Sequence, residues 1–518
     1  MKTLTSYVCG RWHAADSEFQ PLHDPSTEEE IARASSRGVD FGAVLEHART
    51  QGGPALRALS FAERAGLLKE MSRVLRENRD ELLDLSRRNT GTPVADGSFD
   101  VDGGTGTLAW YAGFGRRLGG ERWLPEGEGV QLARSEGFWG QHVLVPRRGV
   151  AVAVNAFNFP VWGFAEKAAC ALLAGVPMIV KPATATALVT HRAVELILAA
   201  GVLPEGAFQL VVGGTGDLLN RLGPQDVLAF TGSADTARVL RSRDNLLAAN
   251  TRVNIEADSL NAAVLAPGAA GAAWDLFVRD VVREMTQKTG QKCTAVRRVL
   301  VPAERMDEVE AALAERLGRV VTGNPSHEEV TMGPVATAQQ LRDCVEGTAE
   351  LASAARIVHG TGRRADGTGG SEGKGWFFPP TLLRAEDARG AEAVHRREVF
   401  GPVATLLPYD GSAEDAAEIV ALAGGTLVTS VYGDDRAWIG DFLAGAGHAT
   451  GRVYLGTETS AADAPGSGIA LPQTLHGGPG RAGGGEELGG LVGVRLYLQR
   501  VALQGARSLV DDLAPAAG

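Results

Sequence analysis

From Gly149 to Glu256 the chain alternates apolar, strand-length runs with helix-length segments, and that rhythm admits few folds. Strands are predicted at residues 150–155, 177–181, 208–212, 227–231 and 252–256. Helices are predicted between them at 162–173, 186–200, 216–222 and 234–242. The strands are near-continuous runs of apolar residues, as expected of strands buried on both faces. A parallel, doubly wound sheet follows, and such sheets hold their ligands beyond the carboxyl ends of the strands. At those ends stand residues 155–160, 181–184, 231–233 and Glu256.

A second α/β pattern begins after Leu260. It has helices at 274–285 and 305–317, a strand at 298–301, and later strands at 403–409, 427–432 and 451–455. Further helices are predicted at 414–423 and 437–444, and 361–375 reads as a Gly-rich surface loop. Before the first pattern, Ser60 and Glu63 form a capping box that opens a helical run through Leu85. A further helix is predicted at 102–113. Alternation between Leu124 and Val145 predicts an inserted hairpin. The last apolar stretch, 492–498, reads as a strand that adds to a sheet edge, a neighbouring subunit's among the candidates.

The net charge of −11 argues against a nucleic-acid footprint. The N-terminus has no apolar core of a signal peptide, and the longest apolar run, 168–180, is broken by Gly175 and Pro177. A soluble cytoplasmic protein is expected. The four cysteines have neither paired nor metal-like spacing, which suits a reducing compartment. The ten histidines show no metal-ligand pattern, and no metal is expected.

Cys293 lies in the polar stretch Gln287-Lys288-Thr289-Gly290-Gln291-Lys292-Cys293, which holds two of the seven lysines in the chain. Nearby positive charge favours a thiolate and hence a nucleophile. A small buried hydrophobe is the commoner fate of a free cysteine, and the stretch alone leaves both readings open.

FNFP at 157–160, KPA at 181–183, FTGS at 230–233, Glu256, GQKC at 290–293 and EVFGP at 398–402 occur together and in order. In that order they resemble the aldehyde dehydrogenase superfamily over nearly the whole chain. The segments NAFNFP, MTQKTGQKCTA, EADSLN and HGGPGRAGGGEELGG resemble, more narrowly, the semialdehyde dehydrogenases of aerobic CoA-dependent aromatic catabolism. That group serves the benzoyl-CoA epoxide and phenylacetate routes. One branch carries a C-terminal hydratase domain, which a chain ending at Gly518 is expected to lack.

The resemblance implies an α/β fold with a Rossmann-type dinucleotide-binding domain (1–124 and 149–260), an α/β catalytic domain (261–485) and an oligomerisation region (125–148 and 486–518). At least a homodimer is expected. Cys293 matches the nucleophile, and Asn158 the side-chain donor to the oxyanion; a turn residue near a proline is the bland alternative for Asn158. Glu256 matches the general base, and its place at the end of an apolar strand predicts a raised pKa. Its presence argues for hydrolysis to a carboxylate rather than transfer to CoA.

Lys181, Gly232, Ser233, Glu398 and Phe400 match the cofactor site. Many NAD-using relatives have a glutamate three residues after the lysine, where this chain has Thr184. A hydroxyl there leaves room for a 2′-phosphate, so NADP is expected. The substrate implied is a CoA-linked semialdehyde. A dehydrogenase of free aldehydes and a non-catalytic relative are the rival readings. His476 reads as structural or substrate-proximal, and the pairs Arg147–Arg148 and Arg396–Arg397 as solvated charge rather than CoA contacts.

Overall fold

The computed structural model describes residues 2–514. Met1 and residues 515–518, the ends of two of the expected regions, lie outside the described residues. Five parallel strands form the first sheet in the spatial order Arg252–Glu256, Val227–Thr231, Ala151–Val154, Met178–Lys181 and Phe208–Leu210. Two antiparallel N-terminal strands, Ser6–Val8 and Arg11–His13, extend it at the far edge. The strands are almost wholly buried, which explains their unbroken apolar sequence.

The second sheet runs Arg356–His359, Thr381–Arg384, Val403–Tyr409, Arg298–Pro302, Ala262–Leu265, Thr426–Tyr432 and Thr450–Gly456, parallel except for its first strand. Apart from the segment at 216–222, the expected strands and flanking helices of both patterns are present, with ends moved by a few residues. The fold class is as expected: two mainly parallel sheets flanked by helices, with a dinucleotide-type layout in the first.

Three differences have physical reasons. The helical run after Ser60 is two helices, Phe61–Glu77 and Arg79–Thr90, broken at Asn78, where the backbone leaves helical values. The helix predicted at 216–222 is only a tight turn at Leu218–Arg221, because Gly213 and Gly216 take positive φ and shorten the segment. The stretch 492–498 is not a strand: Gly490 at φ 60° opens a short helix, Leu491–Arg495, and the strand starts at Leu498. That strand, Leu498–Gly505, pairs with Trp139–Pro146 of the same chain and completes a three-stranded sheet with Leu124–Gln131.

The capping box is present: Ser60 Oγ accepts from the Glu63 amide at 3.2 Å, and the Glu63 carboxylate accepts from the Ser60 amide at 2.8 Å. Residues 361–375 contain no helix or strand but are tied down, through Thr368 to Thr322 and Arg364 to Gly375. Among the described residues no helix is long and apolar enough to cross a membrane.

Arg64 is buried and donates to the carbonyls of Leu59, Leu173 and Arg122, joining the start of Phe61–Glu77 to the end of Trp162–Leu173. Burial lowers its pKa to about 10, so it stays charged at neutral pH. Arg64→Met keeps the volume and removes the donors. It is expected to lower stability by about 3 kcal/mol, read as the shift in urea midpoint at unchanged m-value. A loss below about 1 kcal/mol would mean that water reaches the three carbonyls.

Candidate active site

The strand ends of the first sheet and one loop of the second meet in a cleft of about 510 Å³. Asn158, Glu256, Cys293 and His476 line it, together with Phe99, Asn155, Phe159, Trp162, Glu166 and Thr231.

Cys293 follows the helix Gly271–Thr286 through an unusual turn in which Lys288 (φ 53°), Thr289 (φ 56°) and Gly290 (φ 65°) are all left-handed. Two consecutive non-glycine residues in that region cost roughly 1–2 kcal/mol each, so other contacts must hold them. The Asp96 carboxylate accepts from the Lys288 amide at 2.7 Å, and Thr289 Oγ1 donates to the Gly333 carbonyl at 3.0 Å. Asn261 Nδ2 donates to the carbonyls of Cys293 (2.8 Å) and Ala295 (2.9 Å). Arg297, buried, donates to the carbonyls of Gly290, Lys292 and Gly401.

The lysines do not activate the thiol. Lys292 Nζ is spent on Glu284 (2.6 Å) and Gln287 (2.8 Å), and Lys288 Nζ is buried over the Phe159 ring at 4.8 Å. Burial, then the negative charges of Glu256, Glu166 and Glu398, push the Cys293 pKa well up. The sequence-based expectation of a thiol acidified by its lysine neighbours is therefore corrected: the chain folds both ammonium groups away from the sulfur.

Glu256 ends its strand inside the protein, 3% exposed, with a carboxylate oxygen 3.1 Å from His476 Nε2. Burial pushes its pKa up, but the His476 imidazolium and the Lys167 ammonium outweigh burial and hold it down, to about 2. The raised pKa expected from the strand end is corrected for that reason. The His476 pKa is raised in turn: burial opposes the proton, and Glu256 and Glu166 favour it more. His476 Nε2 also lies 3.9 Å from Cys293 Sγ.

Sequence reading set His476 outside the chemistry, and the structure sets it between the thiol and the carboxylate. The signal was present in the glycines of HGGPGRAGGGEELGG, which let this tail lie directly on the strand bearing Glu256. Gly485 N donates to Ile255 O at 3.0 Å and Ala257 N to Ala482 O at 3.0 Å. A Cβ on Gly483 would stand 2.3 Å from Ile255 O. The tail forms a small hairpin, Leu475–Gly477 with Glu486–Leu488, in which His476 is directly opposite Glu487. Glu487 and Glu166 hold the buried Lys167 at 3.1 and 2.9 Å, a second cluster that sequence reading missed.

Asn158 is buried at the cleft wall; its Nδ2 donates to Gln291 O at 3.0 Å, which fixes the amide beside the Cys293 loop. The remaining sequence-predicted residues lie outside the cleft lining. Lys181 ends its strand with Nζ donating to Pro182 O, and burial lowers its pKa to about 8. Thr184 opens a short turn, its hydroxyl donating to Gly213 O at 3.4 Å.

Gly232 donates to Glu256 O at 3.1 Å, and exposed Ser233 caps the helix Ala234–Arg241. The Glu398 side chain is 9% exposed; one carboxylate oxygen accepts from the Ser259 amide and the other makes no hydrogen bond, only a loose 3.5 Å ion pair with Arg297. Burial raises the Glu398 pKa to about 7. Phe400 sits under the Arg297 guanidinium and edge-on to Phe157.

The aldehyde dehydrogenase family profile matches residues 12–490. The chain is 45% identical over 478 residues to 3,4-dehydroadipyl-CoA semialdehyde dehydrogenase of Aromatoleum evansii, covering 92% of this chain and 93% of that protein. Among solved structures, lactaldehyde dehydrogenase from Escherichia coli superposes with a TM-score of 0.84 at 24% identity, covering 97% of this chain and 99% of its own. A 3,6-anhydro-L-galactose dehydrogenase in complex with NAP superposes with a TM-score of 0.85 at 23% identity, covering 97% of this chain and all of its own (100%). The protein belongs to the aldehyde dehydrogenase family.

The ionisation of Cys293 is open to direct measurement through its rate of alkylation by iodoacetamide against pH, without substrate. Glu256→Gln removes a charge that holds the thiol up, so its alkylation profile is expected to move to lower pH than wild type. Lys292→Met is expected to leave the profile in place. A profile moved upward by Lys292→Met would restore the lysine as the activating group.

Proposed function

We propose that this aldehyde dehydrogenase carries out the NADP-dependent, hydrolytic oxidation of a semialdehyde whose far end bears a CoA thioester. The observation that carries the chemical part is the meeting of Cys293, Glu256 and Asn158 in one cleft. Cys293 Sγ attacks the aldehyde carbon. The Asn158 amide, held by Gln291, and the Cys293 backbone N–H are the donors to the oxygen as its charge develops. Burial keeps the thiol protonated, so its proton must leave as the carbon–sulfur bond forms, and the ionised Glu256 carboxylate beside it is the acceptor. In the second half, after that proton has passed to solvent, Glu256 takes a proton from the water that hydrolyses the thioester to a carboxylate.

A bound nicotinamide cofactor supplies the hydride acceptor between those halves. The residues present fit one: a carboxylate oxygen of Glu398 and the hydroxyl of Thr231, the latter in the cleft lining, are buried without hydrogen bonds. Lys181, Thr184, Gly232, Ser233, Glu398 and Phe400 would hold it. Thr184 supports NADP over NAD, because an uncharged hydroxyl does not repel a 2′-phosphate. The CoA-linked substrate is supported by the name and 45% identity of the Aromatoleum evansii relative.

The domain division that goes with this reading is 1–124 with 149–260, 261–485, and 125–148 with 486–518. Its support is that each of the two large sheets draws all its strands from one of these regions, although the small tail hairpin straddles residue 485. Assembly as at least a homodimer is supported by Val130 and Val501, exposed on the three-stranded sheet, and by Leu132 and Phe138, exposed in the turn between its strands Leu124–Gln131 and Trp139–Pro146.

Two measurements test the reading. A CoA-linked C6 semialdehyde is expected to exceed the free semialdehyde in kcat/KM by about a hundredfold, or about 2.7 kcal/mol of transition-state binding. Equal values would leave a general dehydrogenase of free aldehydes. Thr184→Glu is expected to swing the NADP-to-NAD ratio of kcat/KM toward NAD by about a hundredfold. An unchanged ratio would place cofactor choice elsewhere.

A further inference from the structure

Cys293 Sγ, His476 Nε2 and a carboxylate oxygen of Glu256 all lie within 4.8 Å of one another. We propose that these three groups form a reversible, inhibitory site for a thiophilic divalent cation, zinc above all, with water from the cleft as fourth ligand. Thiolate, imidazole and carboxylate are the ligand types that zinc takes, and three protein ligands with one open position is its usual arrangement in accessible sites. The spacing suits a tetrahedron. Zinc at about 2.3 Å from sulfur and about 2.05 Å from nitrogen and oxygen sets the S···N edge near about 3.6 Å and the N···O edge near about 3.3 Å. The observed S···N and N···O edges, 3.9 and 3.1 Å, are within a few tenths of an ångström of these, and the S···O edge is no longer than 4.8 Å.

The surroundings favour a cation as well. Carboxylate oxygens of Glu166, Glu256 and Glu487 also cluster within 4.8 Å, and one ammonium, Lys167, lies between two of these carboxylates. Burial raises the Glu166 pKa to about 8, but once the Cys293 and His476 protons are displaced, Cys293, Glu256 and Glu487 stand negative against the one ammonium of Lys167, and a divalent ion there gains more than it would beside neutral walls. Binding exchanges the Sγ–H bond of Cys293 and the Nε2–H bond of His476 for bonds to zinc and releases both protons to solvent; nothing is oxidised or reduced. The lone pair that would attack an aldehyde is then occupied, and the carboxylate and imidazole are held on the metal. The metal is an inhibitor here and takes no part in turnover.

The binding titration contains no aldehyde and no cofactor, so its outcome is independent of the substrate reading. Purified protein, stripped with a chelator, is titrated with cobalt(II) as a spectroscopic stand-in and with zinc in competition. One equivalent is expected to bind, with a near-ultraviolet thiolate-to-cobalt charge-transfer band and visible bands of four-coordinate intensity. Zinc is expected to abolish both, and to inhibit aldehyde oxidation in a way that a chelator reverses.

Cys293→Ala is expected to lose the charge-transfer band, and His476→Phe to weaken zinc binding by about a hundredfold or more. Cys293→Ala changes one sulfur atom, so the test stands even where His476→Phe fails to fold. Stoichiometric zinc binding that persists in Cys293→Ala at wild-type affinity would overturn the proposal. So would inhibition by zinc without the charge-transfer band, or wild-type protein that binds no metal at about 100 µM.

Discussion

The contact on which the rest of the centre depends is between two stretches of backbone. The carbonyl of Ile255 accepts from Gly485, and the amide of Ala257 donates to Ala482, so the C-terminal tail is stitched to either side of Glu256. Side chains on the tail would keep the strands apart: a Cβ on Gly483 or Gly485 would come within 2.3 Å of Ile255 O. The glycines therefore bring His476 to Glu256 and bring Glu487 to Lys167. Replacing the hydration of a buried carboxylate by a fixed imidazolium is what keeps Glu256 ionised where burial alone would protonate it.

The thiol is positioned by a different device. Three left-handed residues in succession reverse the chain after the helix Gly271–Thr286, and the turn persists because Asp96, Asn261 and Arg297 satisfy parts of the backbone around it and Gly333 accepts from the Thr289 hydroxyl. The partners come from distant parts of the sequence. The strain is thus distributed over a frame that includes the helix Val94–Leu118 and the approaches to two strands of the second sheet, and Arg297 carries it on to Glu398 and Gly401. This couples the loop of the nucleophile to the motif assigned to the cofactor.

Much of the fold was legible because its strands are buried on both faces and read as unbroken apolar runs; Val227–Thr231 and Arg252–Glu256 have the bounds that the sequence predicts. The short helix Leu491–Arg495 was not legible, since a buried apolar run of that length has no period to distinguish helix from strand. In the site, Cys293, Glu256 and Asn158 were found from their motifs and do come together. Their electrostatics were not legible. Nearness in sequence made Lys292 look like the partner of Cys293, whereas a pairing with Glu284 turns its charge away. The residue that does reach the thiol is 183 positions downstream, beyond the range of any local pattern.

The order in which these pieces occur along the chain also has a consequence during synthesis. Glu256 emerges first and Cys293 next, but His476 and Glu487 belong to the tail hairpin, which the ribosome releases only after both sheets have their strands. A nascent chain can thus fold its first sheet while the sulfur still lacks its neighbours, since domains form in order as the polypeptide emerges. The reactive centre is closed by a segment made after both sheets, and chains that have not reached it carry an unassembled thiol rather than a working one.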